Sequence, residues 1–519
     1  MRPKSTISAS HALDPAEWIE RNAREHPERP FLRTPGGRQL TYRTLVNGSA
    51  RVVAALTRRG VLSGERVAAR VEKSLEAVLL YLACLRLGAV YVPINVLSSP
   101  SEVDYVLRDA SPRMAILPPG EESALAPLAE RAGVQLVETL GPDGEGTLSH
   151  LARVCEPEDP GTGAHQPHSL AALIYTSGTT GRPKGAMLTR ANLASNAAVL
   201  AQAWRFSVED VLLHALPLFH VHGLFNGINT VLASAASLLL LPKFDSREVL
   251  THLAEATVFM GVPTHYIRLL QEPGLTREAT GHMRLFICGS APLPIETHGE
   301  FFQRTGHMIL ERYGLSETLM NTSNPYDGPR VAGSVGLPLP GVGVRVSHPE
   351  SGAVERKPDV IGTLEVTGPN VFAGYWRDPD KTAAEFTDDG WFKTGDLGRI
   401  DRDGYVYIVG RVKDLVISGG SNVYPREVEL ELEALPGVAE CAVFGVPHPD
   451  LGEGVTAAIV SKPGEAPSES AIIEALKARL ARYKVPKRVL VVAELPKNAM
   501  GKVQKTALRE RYAELYLRR

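Results

Sequence analysis

Apolar and polar positions alternate along the chain with two periods in turn. Residues 17–25 repeat apolar side chains at helical spacing, and residues 66–71 form a short apolar run that reads as a strand. Residues 74–87 predict a helix, and residues 89–92 predict a second strand, stopped by Pro93. Helices and strands in alternation predict an α/β fold with largely parallel sheets. Residues 156–168 are polar, carry Pro and Gly, and read as a linker between subdomains. The apolar run 170–175 follows and enters a glycine-rich turn.

Beyond about residue 340 the texture becomes short β-branched runs between Gly and Asp turns: GTLEVTG, GWFKTGD and GYVYIVG. Past Arg411 a small unit follows. Pro425 stands where a helix starts and Gly437 where it has ended. Strands are predicted at 441–446 and 455–460, then an amphipathic helix over 468–483 with Ile472, Leu476 and Leu480 on one face. No fixed-period repeat is present, which argues against a solenoid.

Composition narrows the class. At 519 residues, 44% hydrophobic and 22% charged, with a net charge of −2, the chain reads as soluble and globular, of about three units. Four cysteines, Cys84, Cys155, Cys288 and Cys441, are scattered without metal-pair or disulfide spacing, which fits a reducing compartment and makes the cytoplasm the expected location. No apolar stretch approaches the roughly 20 residues of a membrane span, so no membrane partner is expected. The first residues lack the apolar core of a secretory signal, although they are short and basic, which leaves a weak organelle address open. Residues 477–511 hold 11 basic against 2 acidic residues. That stretch is either a solvated basic face or a surface that meets a phosphorylated ligand. Nucleic acid is disfavoured, because stacking aromatics are sparse there.

Four motifs carry chemistry. YTSGTTGRPKG, at 175–185, is rich in N–H and hydroxyl donors that can wrap phosphate oxygens, with Lys184 offsetting their charge. It is not a Walker A loop, because position 183 is Pro; the plainer reading is a flexible turn. GSAP, at 289–292, follows the apolar run 285–287 like a strand end opening into a ligand site. In YGLSET, at 313–318, Glu317 is a candidate Mg²⁺ ligand and Thr318 a candidate phosphate donor. Asp396, in TGD, can accept ribose hydroxyls beside Arg411. PKNAMGK, at 496–502, reads on its own as a surface turn bearing Lys502.

Together and in this order the motifs resemble those of the adenylate-forming superfamily: acyl-CoA synthetases, luciferases and amino-acid adenylation domains. The resemblance extends over nearly the whole chain. It implies a large N-terminal domain, 1–410, of sheets sandwiched by helices plus a β subdomain, and a small mobile α+β lid, 411–519, turning about Lys413. It implies ATP, Mg²⁺ and coenzyme A as reactants and cofactor. Thr176, Ser177, Gly178, Thr179, Thr180, Gly181, Lys184 and Thr318 would meet the nucleotide phosphates. Ser290, Ala291, Pro292 and Tyr313 would line the adenine, Glu311, Arg312 and Gly314 would also bind the nucleotide, and Asp396 and Arg411 would meet the ribose. Glu317 and Thr176 would hold the metal. Lys502, with Glu317, Thr176 and Lys184, would catalyse attack of a carboxylate on the α-phosphate by stabilising the charge that converges there. Rotation of the lid would then bring Gly419, Gly420, Ser421 and Lys484 to coenzyme A.

The acid would sit among His220, His222, Met260, Arg284, Ser290 and Gly314. Arg284 leaves two readings open: a structural ion pair outside the pocket, or a partner for a second anion within it. PLFHVHGLF, GHMRLFICGSAPLP, ERYGLSETLMNTSNPYDGPRVAGSVG and DLVISGGSNVYPREVE resemble malonyl-CoA synthetases, in which an arginine at the position of Arg284 holds the distal carboxylate. Cys288, where a serine is more usual, departs from that pattern. The resemblance implies malonate as the acid and methylmalonate as a secondary one. A ligase for another short-chain, fatty or aromatic acid shares every nucleotide motif. A catalytically inert docking module does not need Glu317, Asp396, Arg411 and Lys502 together. No oligomer is indicated beyond a monomer or weak dimer.

Overall fold

The computed structural model describes residues 14–158, 165–176, 183–349, 351–465, 467–498 and 501–517. Two parallel-rich sheets organise the first 340 residues. The larger has nine strands, with Pro30–Arg33, Ser237–Leu240, Val211–His214, Val258–Gly261, Leu285–Cys288 and Leu310–Leu315 running parallel at its centre. The second has six, with Arg66–Ala69, Val90–Pro93 and Met114–Leu117 in its parallel part and the pair Leu170–Thr176 and Lys184–Thr189 antiparallel at one edge.

Alternation along the strands sorts their side chains into layers. Leu212, Leu238, Met260 and Ile287 of the large sheet share one core with Val67, Ala69 and Ile116 of the second. Leu213, Leu239, Phe259 and Phe286 turn the other way, onto helices Ser246–Leu253, Pro263–Leu270 and Ile295–Thr305. Ala68, Val90 and Val92 face outward onto Pro100–Ala110 and Glu122–Arg131. The order is helix, sheet, helix, sheet, helix. Helix Leu75–Leu87 lies in the shared middle layer and is apolar nearly all round for that reason. It begins where predicted: Ser74 caps it through the Ala77 N–H, and Gly88, left-handed at φ 79°, ends it.

Strands Gly343–Ser347, Gly362–Thr367, Phe392–Ile400 and Val406–Arg411 form an antiparallel subdomain with Val354–Glu355 at its edge. After Arg411 a separate α+β unit begins, around strands Val438–His448 and Gly452–Ser461. Its helix Pro425–Glu433 starts at the proline and stops before Gly437. The next helix is shorter than expected, Glu469–Lys477 against 468–483. Ile472 and Leu476 exhaust the buried part of the stripe, Leu480 only packs against the core margin, and Tyr483 is exposed, so nothing rewards further turns. Among the described residues no helix is long and apolar enough to cross a membrane.

Candidate active site

The loops that follow the large sheet's parallel strands at their C-terminal ends meet the hairpin edge of the second sheet and the C-terminal unit, which is where α/β sheets build ligand sites. Thr176 pairs in register with Lys184, and Tyr175 with Gly185, so the glycine-rich motif spans the tip of a β hairpin. Ser177, Gly178, Thr179, Thr180 and Gly181 lie outside the described residues. The Thr176 hydroxyl donates to Glu317 Oε1 at 3.3 Å and the Tyr375 hydroxyl to the same oxygen at 3.2 Å. Burial pushes the Glu317 carboxyl above its ordinary range. A buried carboxylate held by two hydroxyls is a hard-oxygen set suited to Mg²⁺, which takes one or two protein carboxylates and completes its shell with phosphates and water. Among the described residues no three His, Cys, Asp or Glu form an all-protein metal cage. Lys184 Nζ lies 5.5 Å from the centre of the Tyr375 ring.

Asp396 stands opposite Arg411 in the subdomain sheet. Its Oδ1 forms an ion pair with Arg411 Nε at 2.8 Å, and its Oδ2 accepts from the Tyr313 hydroxyl at 2.6 Å. The three residues singled out for ribose and adenine are therefore joined before any nucleotide binds.

Period-two geometry on Leu310–Leu315 separates what the sequence reading lumped together. Tyr313 faces Asp396, and Glu311 faces the Gly333 amide at 3.3 Å; burial pushes the Glu311 carboxyl up to about 8. Arg312 points to the opposite side. Its guanidinium lies against Gly289, where any Cβ would overlap it, and beside Cys288 and Tyr266. Nε and Nη2 are buried with no hydrogen-bond partner among the described residues, and burial pushes the group down to about 10. Arg312 thus lies on the side of the strand away from Tyr313 and Asp396, in the pocket expected to take the acid. His220 and His222 share this pocket. Burial, reinforced by Arg312, pushes His220 down to about 4 and His222 well below its usual value, so both are neutral. The Ser290 hydroxyl is 3.2 Å from His222 Nδ1, with Ser290 in the left-handed region at φ 74°. His222 opens a π-helical turn, His222–Asn229, a distortion that recurs at functional sites.

Four expectations are corrected. Arg284 precedes strand Leu285–Cys288, about 16 Å along the chain from Gly289 at ~3.3 Å per residue. It forms a fork on Asp210, Nε–Oδ1 2.6 Å and Nη2–Oδ2 2.9 Å, and donates to the Trp204 carbonyl at 2.9 Å. It is a structural ion pair at the far edge of the sheet. Met260 has no accessible surface and packs in the shared core, one residue short of the strand end. Thr318 is fully buried, so the accessible hydroxyl of that turn is Ser316. Lys484 is paired to Glu427, and the basic stretch around it is largely neutralised within its own unit: Arg479–Glu431 3.4 Å, Arg488–Glu469 2.9 Å, Lys497–Glu440 2.6 Å and Lys505–Glu429 2.6 Å.

Lys502 rides on a turn closed by the bridge between Lys497 and Val503, where Asn498 Oδ1 accepts from the Lys502 amide at 3.0 Å. Gly501 is left-handed at φ 72°, and a Cβ on it would stand 2.9 Å from Thr264 Oγ1, so glycine permits the close approach to the N-terminal domain. The Lys502 ammonium is reachable by water along the cleft, yet the cleft walls and the nearby Arg411 push it down to about 8. Gly419 and Gly420, at φ 57° and 75°, close an exposed hairpin with Ser421, and Lys413 is exposed in the turn Val412–Asp414. Sequence reasoning missed Tyr375 and Thr264, which lie outside the motifs, and Ser316, which lies within YGLSET, and the alternation along ERYG was the available signal for Arg312.

The profile of the AMP-binding enzyme family matches residues 19–376, and that of the AMP-binding enzyme C-terminal domain matches residues 427–502. The ATP-bound crystal structure of MatB from Rhodopseudomonas palustris superposes with a TM-score of 0.93 at 51% identity, covering 96% of this chain and 99% of that one. The apo crystal structure of the same protein gives 0.82 at the same coverage. The mitochondrial malonate–CoA ligase of Mus musculus is 35% identical over 90% of this chain and 86% of its own length. A feruloyl-CoA synthase of Amycolatopsis is 36% identical over 95% and 98%.

Proposed function

The chain belongs to the AMP-binding enzyme family and is an AMP-forming acyl-CoA ligase using ATP, Mg²⁺ and coenzyme A, and from that premise we propose that its acid is malonate. The observation that carries the choice is Arg312. A guanidinium buried in the acid pocket, charged at neutral pH and without a carboxylate partner among the described residues, is costly unless a ligand supplies the anion. Neutral His220 and His222 offer polar contacts without adding further charge. A monocarboxylic fatty or aromatic acid would leave Arg312 buried and unanswered; a short dicarboxylate answers it with one end and presents the other for reaction. Methylmalonate keeps both ends and is the secondary substrate.

In the first half-reaction the proximal carboxylate oxygen attacks the α-phosphorus, the bond to the bridging oxygen breaks, and pyrophosphate leaves. Lys502 stabilises the charge gathering at carboxylate and α-phosphate, while Asp396, Tyr313 and Arg411 fix the ribose so that attack is in line. Glu317 and Thr176 would hold magnesium, which would supply neutralisation of phosphate charge. In the second half-reaction the coenzyme A thiol, losing its proton, attacks the acyl carbon and AMP leaves, with Gly419, Gly420 and Ser421 lining the thiol's path. AMP release measured with malonate, methylmalonate, succinate, acetate, ferulate and octanoate tests the reading. Malonate should give the highest kcat/KM. A monocarboxylate preferred over malonate would overturn it.

A further inference from the structure

Two clamps stand three residues apart at the crossing between the domains. Arg411 is fastened to Asp396 of the N-terminal domain at 2.8 Å. Asp414 is fastened to Arg509 of the C-terminal unit, Oδ1 to Nη2, at 3.0 Å. Between them lie only Val412 and Lys413, both exposed. Arg509 sits on helix Lys505–Arg511, which begins three residues after Lys502. Three anchors hold that helix: Lys505 on Glu429, Leu508 sunk in a small core, and Arg509 on Asp414. The first two tie it to the body of the lid. The third alone ties it to the turn on which the lid pivots. Side chains of Arg509 and Asp414 are 26% and 17% exposed, so the pair is shielded enough to hold a geometry without being needed for folding.

We propose that Arg509 is a positioning residue for adenylation: by gripping Asp414 it registers the helix behind Lys502 to the hinge turn, and so sets where the Lys502 ammonium comes to rest. This rests on the assignment of Lys502 to the first half-reaction. A strut of this kind acts on that step alone, because the thiol path is built from Gly419, Gly420 and Ser421 on a different hairpin of the lid. Misplacement of a catalytic group by about 1 Å costs on the order of 10²-fold.

The test separates the two half-reactions in the full-length enzyme. ATP–pyrophosphate exchange with malonate reports the first, and thioester formation from supplied malonyl-adenylate and coenzyme A reports the second. Arg509→Ala should slow exchange about 10- to 100-fold through kcat, with KM for ATP and malonate little moved and thioester formation within about threefold of wild type. Arg509→Lys should recover part of the loss. The swapped pair, Arg509→Asp with Asp414→Arg, should recover more than either single variant. Unchanged exchange in Arg509→Ala, or equal loss in both half-reactions, would overturn the proposal. Lys502→Ala keeps the two readings apart. Exchange lost by Lys502→Ala but kept by Arg509→Ala removes the strut only, whereas exchange kept by Lys502→Ala removes the assignment beneath it.

Discussion

Two arginines on neighbouring strands of one sheet have opposite circumstances. Arg284, at the edge where its strand begins, has its charge answered by Asp210 in a two-point fork, and the Thr257 hydroxyl completes the carboxylate's shell at 2.7 Å. Burial alone would raise the Asp210 carboxyl, but Arg284, Thr257 and the Ser207 amide together hold it below its usual range. Arg312, near the edge where ligands enter, has a buried guanidinium that nothing in the described protein neutralises. The first arrangement is complete without a ligand. On the proposed reading the second becomes complete when the acid binds, and that difference would mark the functional edge of the sheet.

The sharpest way to break this contrast is Arg312→Met. Its kcat/KM for malonate should fall by about 10²–10³, the equivalent of roughly 3–4 kcal/mol for a distal carboxylate left unpaired, while acetate turnover changes less than about tenfold. An equal loss for acetate would show that Arg312 does not read the second anion. Arg284→Met should do the reverse. With Asp210 stranded, urea unfolding should show a loss of about 3 kcal/mol, and malonate kcat/KM should stay within a few-fold of wild type. Malonate itself then sharpens the comparison: at 100 times Kd it should stabilise wild type by about 2.7 kcal/mol in a thermal shift assay, leaving Arg312→Met unmoved. The smallest effect concerns the other under-neutralised cation of the cleft. Lys502 acts as an ammonium, and its depressed pKa means that charge is lost as pH rises through about 8. Exchange measured as kcat/KM should decline above that pH, and Lys502→Arg should flatten the decline at a lower rate.

The same contrast explains what the sequence could reveal. The α/β alternation was legible because buried strands and the all-apolar helix Leu75–Leu87 leave strong signals, and Ser74 and Gly88 punctuate that helix as caps. The cluster of Tyr313, Asp396 and Arg411, expected at the nucleotide, was legible because each stands in a short recognisable motif and the fold brings the three together. The acid pocket was harder to read. Arg284 and Arg312 both adjoin apolar strand residues, and only their places along and across the strands distinguish them. Arg284 lies before its strand and Arg312 within one, on the side opposite Tyr313. Met260 misled for a similar reason, since one residue separates a core position from the loop that follows. The basic stretch 477–511 could not be resolved from its own composition, because its partners Glu427, Glu429, Glu431 and Glu440 lie 48 to 76 residues upstream.

That internal pairing has a consequence for how the lid travels. Each of those pairs lies wholly inside the C-terminal unit, so the proposed rotation would carry them along intact, without exchanging counterions. Across the gap the described ion pairs are Arg411 with Asp396 at the crossing itself, at 2.8 Å, and Lys462 with Glu296, at 3.8 Å and with both side chains well exposed. Under the proposed rotation, ionic strength should therefore shift the lid's position little, and what salt dependence the turnover shows should enter through the polyanionic substrates instead.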